Sequence, residues 1–541
     1  GFLASPEFGS KNPPPKTSQK WPETGEHIII MSQPRRFAFI FPMASGHLNP
    51  SLPVARALVE GGHQVSYLCR EQMRDAIEGT GAEFHDEVLE MPEMYEGRSP
   101  DMFGALTDMQ KEYGLENEKL MVAMMKLKEI MSEMMLPGIL RWLKRLKAQV
   151  VVCCPLMNRD ACLATEILKI PCVGLLTTAG PGSMASATKD FLHKMGLTVE
   201  ECLEHRKNYQ PLQECFQRLR AKYNVKIDYN DEMEPIGKCV VAINSIFTLV
   251  TTAEFLADPL PENLREIYEA AKTKFIYVGP LLDKAGAKRA AGHKFKEGEE
   301  RGETTESHCD PVVQLKEAKK DGRKVVYCSM GTVITGDAPE VGWEHRMKVE
   351  NEPKGFTGKE LCQAAWKGAF EALGSDAPDA PLLLISLGPQ SDALENLQVP
   401  KNALCLPVMP QVDLLKSGVD LFLTHGGQNS FMESLSLGTP VVVCPGFADQ
   451  PVNAQKAADL AVGLQVPRPI CELEDVPTEL LKYQGDVAKA VTEVFNNMSF
   501  KSRAEKCAQE LRDAGGIDRA VEMLLSITVD SLDQPQKLGG A

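Results

Sequence analysis

Between Leu421 and Asn453 the sequence predicts a buried strand, a tight glycine turn and a helix N-terminus in immediate succession. The apolar run Val419–Leu423 has the composition of a buried strand, and apolar residues at 432, 435 and 437 fit a helix. Residues 425–430, HGGQNS, connect the two. A helix N-terminus presents unpaired N–H groups and a partial positive charge, and glycines allow a ligand to approach the backbone. The turn is therefore suited to hold phosphate.

Side chains around this turn extend the predicted site from phosphate towards ribose and sugar. Asn429 and Ser430 add neutral donors, and Glu433 offers a carboxylate that can accept from two vicinal hydroxyls. The loop after the next strand delivers Asp449 and Gln450. Each feature alone is usually plain turn or helix chemistry. Together, in this order, they predict a site for a diphosphate flanked by a ribose and a polyhydroxylated group.

Two strand–turn–helix openings predict the fold class. Arg36–Phe41 predicts a strand, 43–50 a loop that leads into a helix, and Gln64–Leu68 a second strand. Lys324–Cys328 begins another such unit, and backbone N–H groups of its turn, Ser329–Thr332, could reach a phosphate. This alternation is typical of parallel, doubly wound sheets with ligands at the carboxyl ends of the strands. We expect an α/β protein.

The order His-x-Gly-x-Asn-Ser-x-x-Glu, then Gly-x-Pro, then Asp-Gln-x-x-Asn resembles the donor-binding signature of the UDP-dependent glycosyltransferases of family 1. The resemblance covers most of residues 31–525 and implies the GT-B fold, two doubly wound Rossmann-like domains that face each other across a cleft. It implies contacts from Gln411 to uridine, from His425, Asn429 and Ser430 to the phosphates, from Glu433 to the ribose, and from Asp449 and Gln450 to the sugar. The full implied donor-binding set is Gly331, Thr332, Gln411, His425, Gly427, Asn429, Ser430, Glu433, Asp449 and Gln450.

His47 is the predicted general base. A lone histidine after a strand is usually structural, but the segment Gly46, His47, Asn49 and Pro50 also resembles the family. We expect the field of the following helix to keep the imidazole neutral and able to accept a proton. The aspartate that would orient it, just after the strand Gln149–Cys154, falls at Pro155, so we expect Asp160 to serve instead.

Two further positions depart from the plant members of the family. Val408 stands where they have a tryptophan that stacks on uracil, and Gln428 replaces a second tryptophan. The spacing between Gln411 and His425 is nearer that of bacterial and animal relatives. The stacking on uracil at Val408 is therefore expected to be lost or supplied by another group.

Composition shifts along the chain predict its domain organisation. Residues 1–30 are predicted to be a tag or disordered leader, and residues 31–281 to form an N-terminal acceptor-binding domain. A segment rich in Lys, Glu, Gly and Thr indicates a linker within 282–320. Residues 321–515 are the expected UDP-sugar-binding domain, with an insertion predicted at 333–358. Residues 516–541 are expected to form a C-terminal helix and tail, and the family resemblance implies that this helix returns to the first domain.

Charge and cysteine content exclude several classes of protein. The net charge of -15 disfavours a nucleic-acid or anionic-membrane surface, and no apolar run is long enough for a transmembrane anchor. Fifteen cysteines, an odd number without a Cys-x-x-Cys motif, favour reduced thiols and a cytoplasmic location. We expect a monomer.

Ten of the 23 methionines fall between Leu89 and Leu146. Two amphipathic helices packed on the core would explain them. Methionine also suits surfaces that accommodate varied apolar shapes, and the family builds part of its acceptor pocket here, so we favour an adaptable acceptor site.

The predicted function is inverting transfer of a sugar, with glucose as the expected sugar, from a UDP-sugar to a hydroxyl of a small apolar acceptor, such as a phenol, polyketide or sterol. Alternatives are another nucleotide-sugar reaction on this fold, such as epimerisation or transfer to a lipid carrier, and a ligand-binding relative without catalysis. No Asp-x-Asp pair that could hold a divalent ion occurs, so we expect no metal and no other cofactor.

Overall fold

Two parallel β-sheets, each with apolar clusters on both faces, form the framework of the molecule in a computed structural model. The structure describes residues 33–528 apart from gaps at 101–103, 184, 186–191, 193–196, 226–236, 291–309, 339–340 and 350–351. The chain from Arg35 onward forms one compact unit. The predicted leader at 1–30 lies outside the described residues.

The central strands of the first sheet are apolar and buried on both sides, as is typical of parallel sheets. Its strands are β1 (Arg36–Ile40), β2 (Gln64–Cys69), β3 (Glu83–Asp86), β4 (Val150–Cys153), β5 (Cys172–Leu176), β6 (Phe247–Val250) and β7 (Phe275–Tyr277). They are all parallel, in the order β3-β2-β1-β4-β5-β6-β7. The strand order reverses between β1 and β4, the place where doubly wound sheets bind ligands.

Helices cover both faces of this sheet. They are α1 (Ser45–Leu48), α2 (Ser51–Glu60), α3 (Arg74–Glu78), α4 (Glu87–Glu90), α5 (Pro92–Tyr95), α6 (Gly104–Glu112), α7 (Leu120–Leu146), α8 (Arg159–Leu168), α9 (Val199–Lys207), α10 (Gln210–Tyr223), α11 (Val240–Asn244) and α12 (Glu262–Ala270). Single 3-10 turns occur at Glu71–Met73 and Glu254–Leu256.

The second sheet has six parallel strands, and an antiparallel pair, β9 and β10, lies apart from it. The strands of this half are β8 (Val325–Ser329), β9 (Arg346–Val349), β10 (Glu352–Thr357), β11 (Leu382–Ser386), β12 (Ala403–Leu406), β13 (Leu421–Thr424), β14 (Val441–Val443) and β15 (Gly463–Gln465). The order of the sheet is β12-β11-β8-β13-β14-β15, so its reversal lies between β8 and β13. The predicted α/β class with two doubly wound sheets is confirmed.

The helices of the second half follow the same alternation. They are α13 (Pro311–Lys320), α14 (Gly358–Leu373), α15 (Gln411–Lys416), α16 (Gln428–Ser436), α17 (Gln450–Asp459), α18 (Val476–Asn496), α19 (Met498–Arg512) and α20 (Gly516–Leu525), with a 3-10 turn at Leu473–Asp475. Helix α13 lies within the range predicted as linker, 282–320. The predicted domain boundaries stay a prediction.

The insertion predicted at 333–358 contains the β9–β10 pair and a buried tryptophan. Trp343 packs near Trp366 of α14 and donates from Nε1 to Asp392 at 2.9 Å. Thr357 and Glu360 form a reciprocal capping box at the start of α14. The insertion is therefore anchored to the core of the second sheet.

The C-terminal helix α20 returns to the first sheet, as predicted. Ala520 and Leu524 are fully buried in the cluster beneath α2, and Gly516 N–H donates to the carbonyl of Val278 at 2.7 Å. Within the described residues, no helix is both long and apolar enough to cross a membrane.

The methionine-rich region is mostly core. Met91, Met94 and Met109 are fully buried in the first sheet's cluster. Met131 and Met134 on α7 are only partly buried and pack against its edge. Met91, Met94 and Met109 are therefore core residues, whereas Met131 and Met134 on α7 keep accessible surface.

Candidate functional site

The reversal point of the second sheet brings two predicted donor-site loops together. His425 directly follows β13, and its N–H donates to the carbonyl of Ser329, the last residue of β8, at 3.3 Å. A Cβ atom added at Gly331 or at Gly427 would lie 2.5 Å from the His425 ring. Gly331 also has φ +74°, which favours glycine. Both glycines therefore allow the two turns to close over the imidazole.

The N-terminus of α16 is partly satisfied by the protein itself. Asp449 Oδ2 accepts from the Gln428 N–H at 2.9 Å, and Asn453 Nδ2 donates to the carbonyl of Gly426 at 2.9 Å. Gln450 Oε1 accepts from the N–H groups of Gly446 and Phe447. Asp449 and Gln450 were predicted to contact sugar hydroxyls, which stays a prediction; in the structure Asp449 bonds to the start of α16 and Gln450 to its own loop.

Three predicted donor residues form one polar cluster at the first turn of α16. Gln411, at the start of α15, donates from Nε2 to Glu433 Oε2 at 2.7 Å and to Ser430 Oγ at 3.1 Å. Glu433 is only 5% exposed. Thr332 and Val408 lie at the surface of the same edge of the sheet, and Val408 is 47% exposed.

A segment that the sequence predicted as linker lies over this cluster. Arg289 Nη2 is 2.6 Å from Glu433 Oε1, so the carboxylate predicted to bind ribose forms an ion pair with an arginine. We call residues 283–290 the strap. Asp283 pairs with Arg56 at 3.0 Å, and Ala290 exchanges two hydrogen bonds with the Asn49 side chain. The lysine- and glycine-rich composition of the strap carried no signal for these contacts.

The reversal point of the first sheet holds His47. The residue lies in α1, directly after β1, and is partly buried. Its Nδ1 is 3.2 Å from Cys154 Sγ, just after β4, and 3.4 Å from Thr177 Oγ1, just after β5. The residue after β4 that contacts His47 Nδ1 is therefore Cys154, one position before Pro155, where the aspartate was expected.

The surroundings of His47 shift its pKa upward. Burial by itself lowers the pKa of His47, but Cys154 and then Asp449 outweigh it, and the net pKa is raised. Burial raises the pKa of Cys154, but His47 and two backbone N–H groups together lower it by more, so that the net pKa falls. This upward shift of the pKa is opposite in direction to the one expected from the field of the following helix.

Asp160 does not contact His47 in the described structure. It begins α8 and is 3% exposed, with Oδ2 lacking a hydrogen-bond partner among the described residues. Burial, with a smaller contribution from the charge of Glu87, raises the pKa of Asp160 to about 7. The Asp160 carboxyl therefore belongs to a different buried site, and no observed contact supports its predicted role in orienting His47.

One hydrogen bond joins the two halves of the site. Asn429 Nδ2 donates to the carbonyl of Gly46, the residue before His47, at 2.9 Å. Next to Asn429, both side-chain amide atoms of Gln428 are buried without a hydrogen-bond partner in the described structure. Buried amides normally find partners, so this one is available to a ligand hydroxyl. In the described residues, no group of three or more His, Cys, Asp or Glu side chains could hold a metal ion.

Sequence comparisons identify similar proteins over nearly the whole chain. A family profile described as UDP-glucoronosyl and UDP-glucosyl transferase matches residues 392–521. The uncharacterized UDP-glucosyltransferase YojK of Bacillus subtilis is 24% identical over 490 residues, 90% of this chain and 95% of that protein. The NDP-glycosyltransferase YjiC of Bacillus licheniformis is 23% identical over 503 residues, 92% of this chain and 96% of that protein.

Solved structures share the architecture. The glycotransferase of kitacinnamycin aligns with a TM-score of 0.58 and 20% identity over 91% of this chain and 98% of that chain. The calicheamicin glycosyltransferase CalG4 aligns with a TM-score of 0.58 and 15% identity over the same shares. The two-sheet GT-B fold predicted from the sequence is therefore confirmed.

Proposed function

Because the chain belongs to the UDP-dependent glycosyltransferases of family 1, we propose that it moves glucose from UDP-glucose to a hydroxyl of a small apolar acceptor, with inversion at the anomeric carbon. The observation that carries this proposal is the 2.9 Å hydrogen bond between Asn429 and the carbonyl of Gly46. It holds the loop predicted to bind phosphate against the loop that carries the predicted base. Glucose is the sugar named for the Bacillus subtilis relative.

The polar cluster supports a nucleotide at the second sheet. Glu433 and Gln411 can bind the two ribose hydroxyls once Arg289 releases the carboxylate. The N-terminal turn of α16, with Asn429 and Ser430, offers N–H and O–H donors to the diphosphate. The unpartnered amide of Gln428 suits a sugar hydroxyl.

The proposed reaction is a single displacement. The acceptor oxygen forms a bond to the anomeric carbon while the bond from that carbon to the β-phosphate oxygen breaks, and the electron pair leaves with UDP. His47 Nε2 takes the acceptor's proton, which a hydroxyl must lose to be a good nucleophile at neutral pH. Attack from the face opposite the leaving group inverts the anomeric centre.

Donors of the protein can take up the charge that develops on UDP. The N-terminus of α16 carries about half a positive charge, and His425, Asn429 and Ser430 add polar groups. We therefore propose that transfer needs no metal ion.

An apolar acceptor is supported by α7. Met131 and Met134 keep accessible surface on this helix, and methionine adapts to varied apolar shapes. Met91, Met94 and Met109 are fully buried and are excluded as acceptor contacts.

A UDP-release assay tests the proposal. The protein is incubated with radiolabelled UDP-glucose and a panel of phenols and sterols, with EDTA or with added Mg²⁺. We expect acceptor-dependent UDP release and a glucoside of inverted configuration, at equal rates in both conditions. Absence of release with every acceptor would contradict the transferase proposal, and loss with EDTA that Mg²⁺ restores would contradict metal independence.

A further inference from the structure

Three strand ends of the first sheet meet at one side of the His47 ring. Ile40 of β1 lies beside Cys153 of β4 in the sheet register, so the residues that follow these strands are neighbours. The Cys154 N–H donates to the Ile40 carbonyl at 3.3 Å, and Cys154 is 1% exposed. The sulfur is thereby held at a fixed place, 3.2 Å from His47 Nδ1.

The same sulfur is surrounded by donors. The backbone N–H groups of Leu156 and Met157, in the turn after β4, point at Cys154 Sγ in addition to His47. Several N–H groups directed at one sulfur suit its action as a hydrogen-bond acceptor, and they stabilise a thiolate in particular.

On the basis of the proposed function, we infer that Cys154 is the positioning residue of His47, with Sγ accepting the Nδ1–H hydrogen bond. A base can accept a proton on Nε2 only if Nδ1 carries the ring's hydrogen, and the partner of Nδ1 decides this tautomer. In the Ser-His-Asp arrangement a buried carboxylate does this and also stabilises the imidazolium that forms. Here a thiolate would supply the negative charge instead.

The charges around the ring give the pairing a measurable consequence. Two groups raise the pKa of His47: Cys154, which follows β4 in the first half of the molecule, and Asp449, which precedes α17 in the second half. Thr177 contributes a neutral hydroxyl. Removing the thiolate should lower the pKa of His47, because one of two anions that favour imidazolium is lost. The acid limb of the pH–rate profile, where His47 becomes protonated, should then shift to lower pH.

Three substitutions separate charge from shape. Cys154→Ser keeps the size and removes the anion, Cys154→Ala removes both, and Cys154→Asp restores an anion. We expect the plateau of kcat to fall about tenfold or more in the Ser and Ala variants, with the acid limb moved to lower pH. The Asp variant should regain both. Cys153→Ala is the matched control, because Cys153 precedes Cys154 but faces the opposite core cluster.

A readout without substrates keeps this inference distinct from the proposed function. Nitrogen-15 spectra of histidine-labelled protein, with the His47 signals assigned from His47→Gln, report the tautomer and titration of His47 directly. We expect the His47 titration to move to lower pH in Cys154→Ser and Cys154→Ala and to stay in Cys154→Asp and Cys153→Ala. An unchanged titration in all variants would overturn the inference, even if transferase activity is present. A shifted titration in an enzyme without transferase activity would uphold the pairing and overturn the function.

Discussion

His47 has three properties of a general base: it is partly exposed, Nδ1 is held by a neighbour, and the donor loop bonds to the residue before it. We expect His47→Ala to lower kcat at least about a hundredfold, because general base catalysis typically contributes roughly 10² to 10⁴. Affinity for UDP should be unchanged. UDP release and calorimetry measure the two quantities, and His345→Ala, at an exposed histidine, is the control. Near-normal turnover on an acceptor whose hydroxyl is not acidic would contradict the assignment.

The burial of Asp160 should make the free energy of unfolding depend on pH. Its pKa rises from 3.8 to about 7 on folding, so the folded protein favours the neutral carboxyl, and ionisation costs stability as pH rises through this range. A rise of that size corresponds to ~4 kcal/mol at most above pH 7. Asp160→Asn should therefore unfold at higher urea concentration than the parent at pH 8, and the gain should vanish near pH 4.

The exposed Asp379→Asn variant controls for the loss of one negative charge. An equal effect of the Asp160 substitution at both pH values would show that the carboxyl is not held neutral by burial.

At the residue scale, the sequence predicted best where one local motif carries the site. Gln411, Ser430 and Glu433 meet as expected, because Ser430 and Glu433 lie on one helix turn and Gln411 starts the neighbouring helix. Cys154 was missed because its contact with His47 depends on the register of β1 against β4. Counting along the chain could not say which residue after β4 faces the ring.

At the scale of elements, the strap and α16 compete for one carboxylate. Glu433→Ala should weaken UDP binding, because the ribose hydroxyls lose a charged acceptor worth about 1.5–3 kcal/mol. Isothermal titration with UDP measures this loss. An unchanged affinity would remove Glu433 from the ribose site.

Arg289→Ala should have the opposite effect. The arginine pairs with Glu433 at 2.6 Å, so ribose must displace it. Removal of the competing donor should tighten UDP binding by about tenfold or more, since a hydrogen bond to a charged group contributes roughly 1.5–3 kcal/mol. Lys284→Ala is the matched control, because Lys284 lies on the same strap but pairs with Glu60 at the surface. Weaker binding of UDP by Arg289→Ala would instead show that Arg289 contacts the nucleotide.

Elements with strong apolar periodicity were predicted to within a residue or two. The predicted strand Arg36–Phe41 corresponds to Arg36–Ile40, and Gln64–Leu68 to Gln64–Cys69. The β9–β10 pair was not predicted, because β9 spans only four residues and β10 contains Pro353 and Gly355, which weaken a strand pattern although Phe356 is buried. Composition likewise identified the strap as linker but could not reveal its contacts with both halves.

At the scale of the whole molecule, the last helix belongs to the first sheet although it follows the second in sequence. Helix α20 packs on α2 and buries Ala520 and Leu524 completely, and Arg35 donates to the carbonyl of Ile527 at 2.7 Å. The amphipathic pattern predicted this helix. Its packing partner was an expectation from the family resemblance, since an apolar face alone does not say which core covers it.

Leu524→Ala tests how far this crossing stabilises the first half. Truncation of a fully buried leucine costs about 2–5 kcal/mol through lost transfer free energy and the cavity left behind. Two sheets with separate cores need not unfold in one step, so a single unfolding midpoint would be ambiguous. Hydrogen exchange resolves it: we expect faster exchange in α2 (Ser51–Glu60) and β1 (Arg36–Ile40) than in β13 (Leu421–Thr424). Leu481→Ala, at a leucine that is 73% exposed on α18, should change none of these rates. Equal acceleration in β13 would show instead that both halves of the molecule unfold as one cooperative unit.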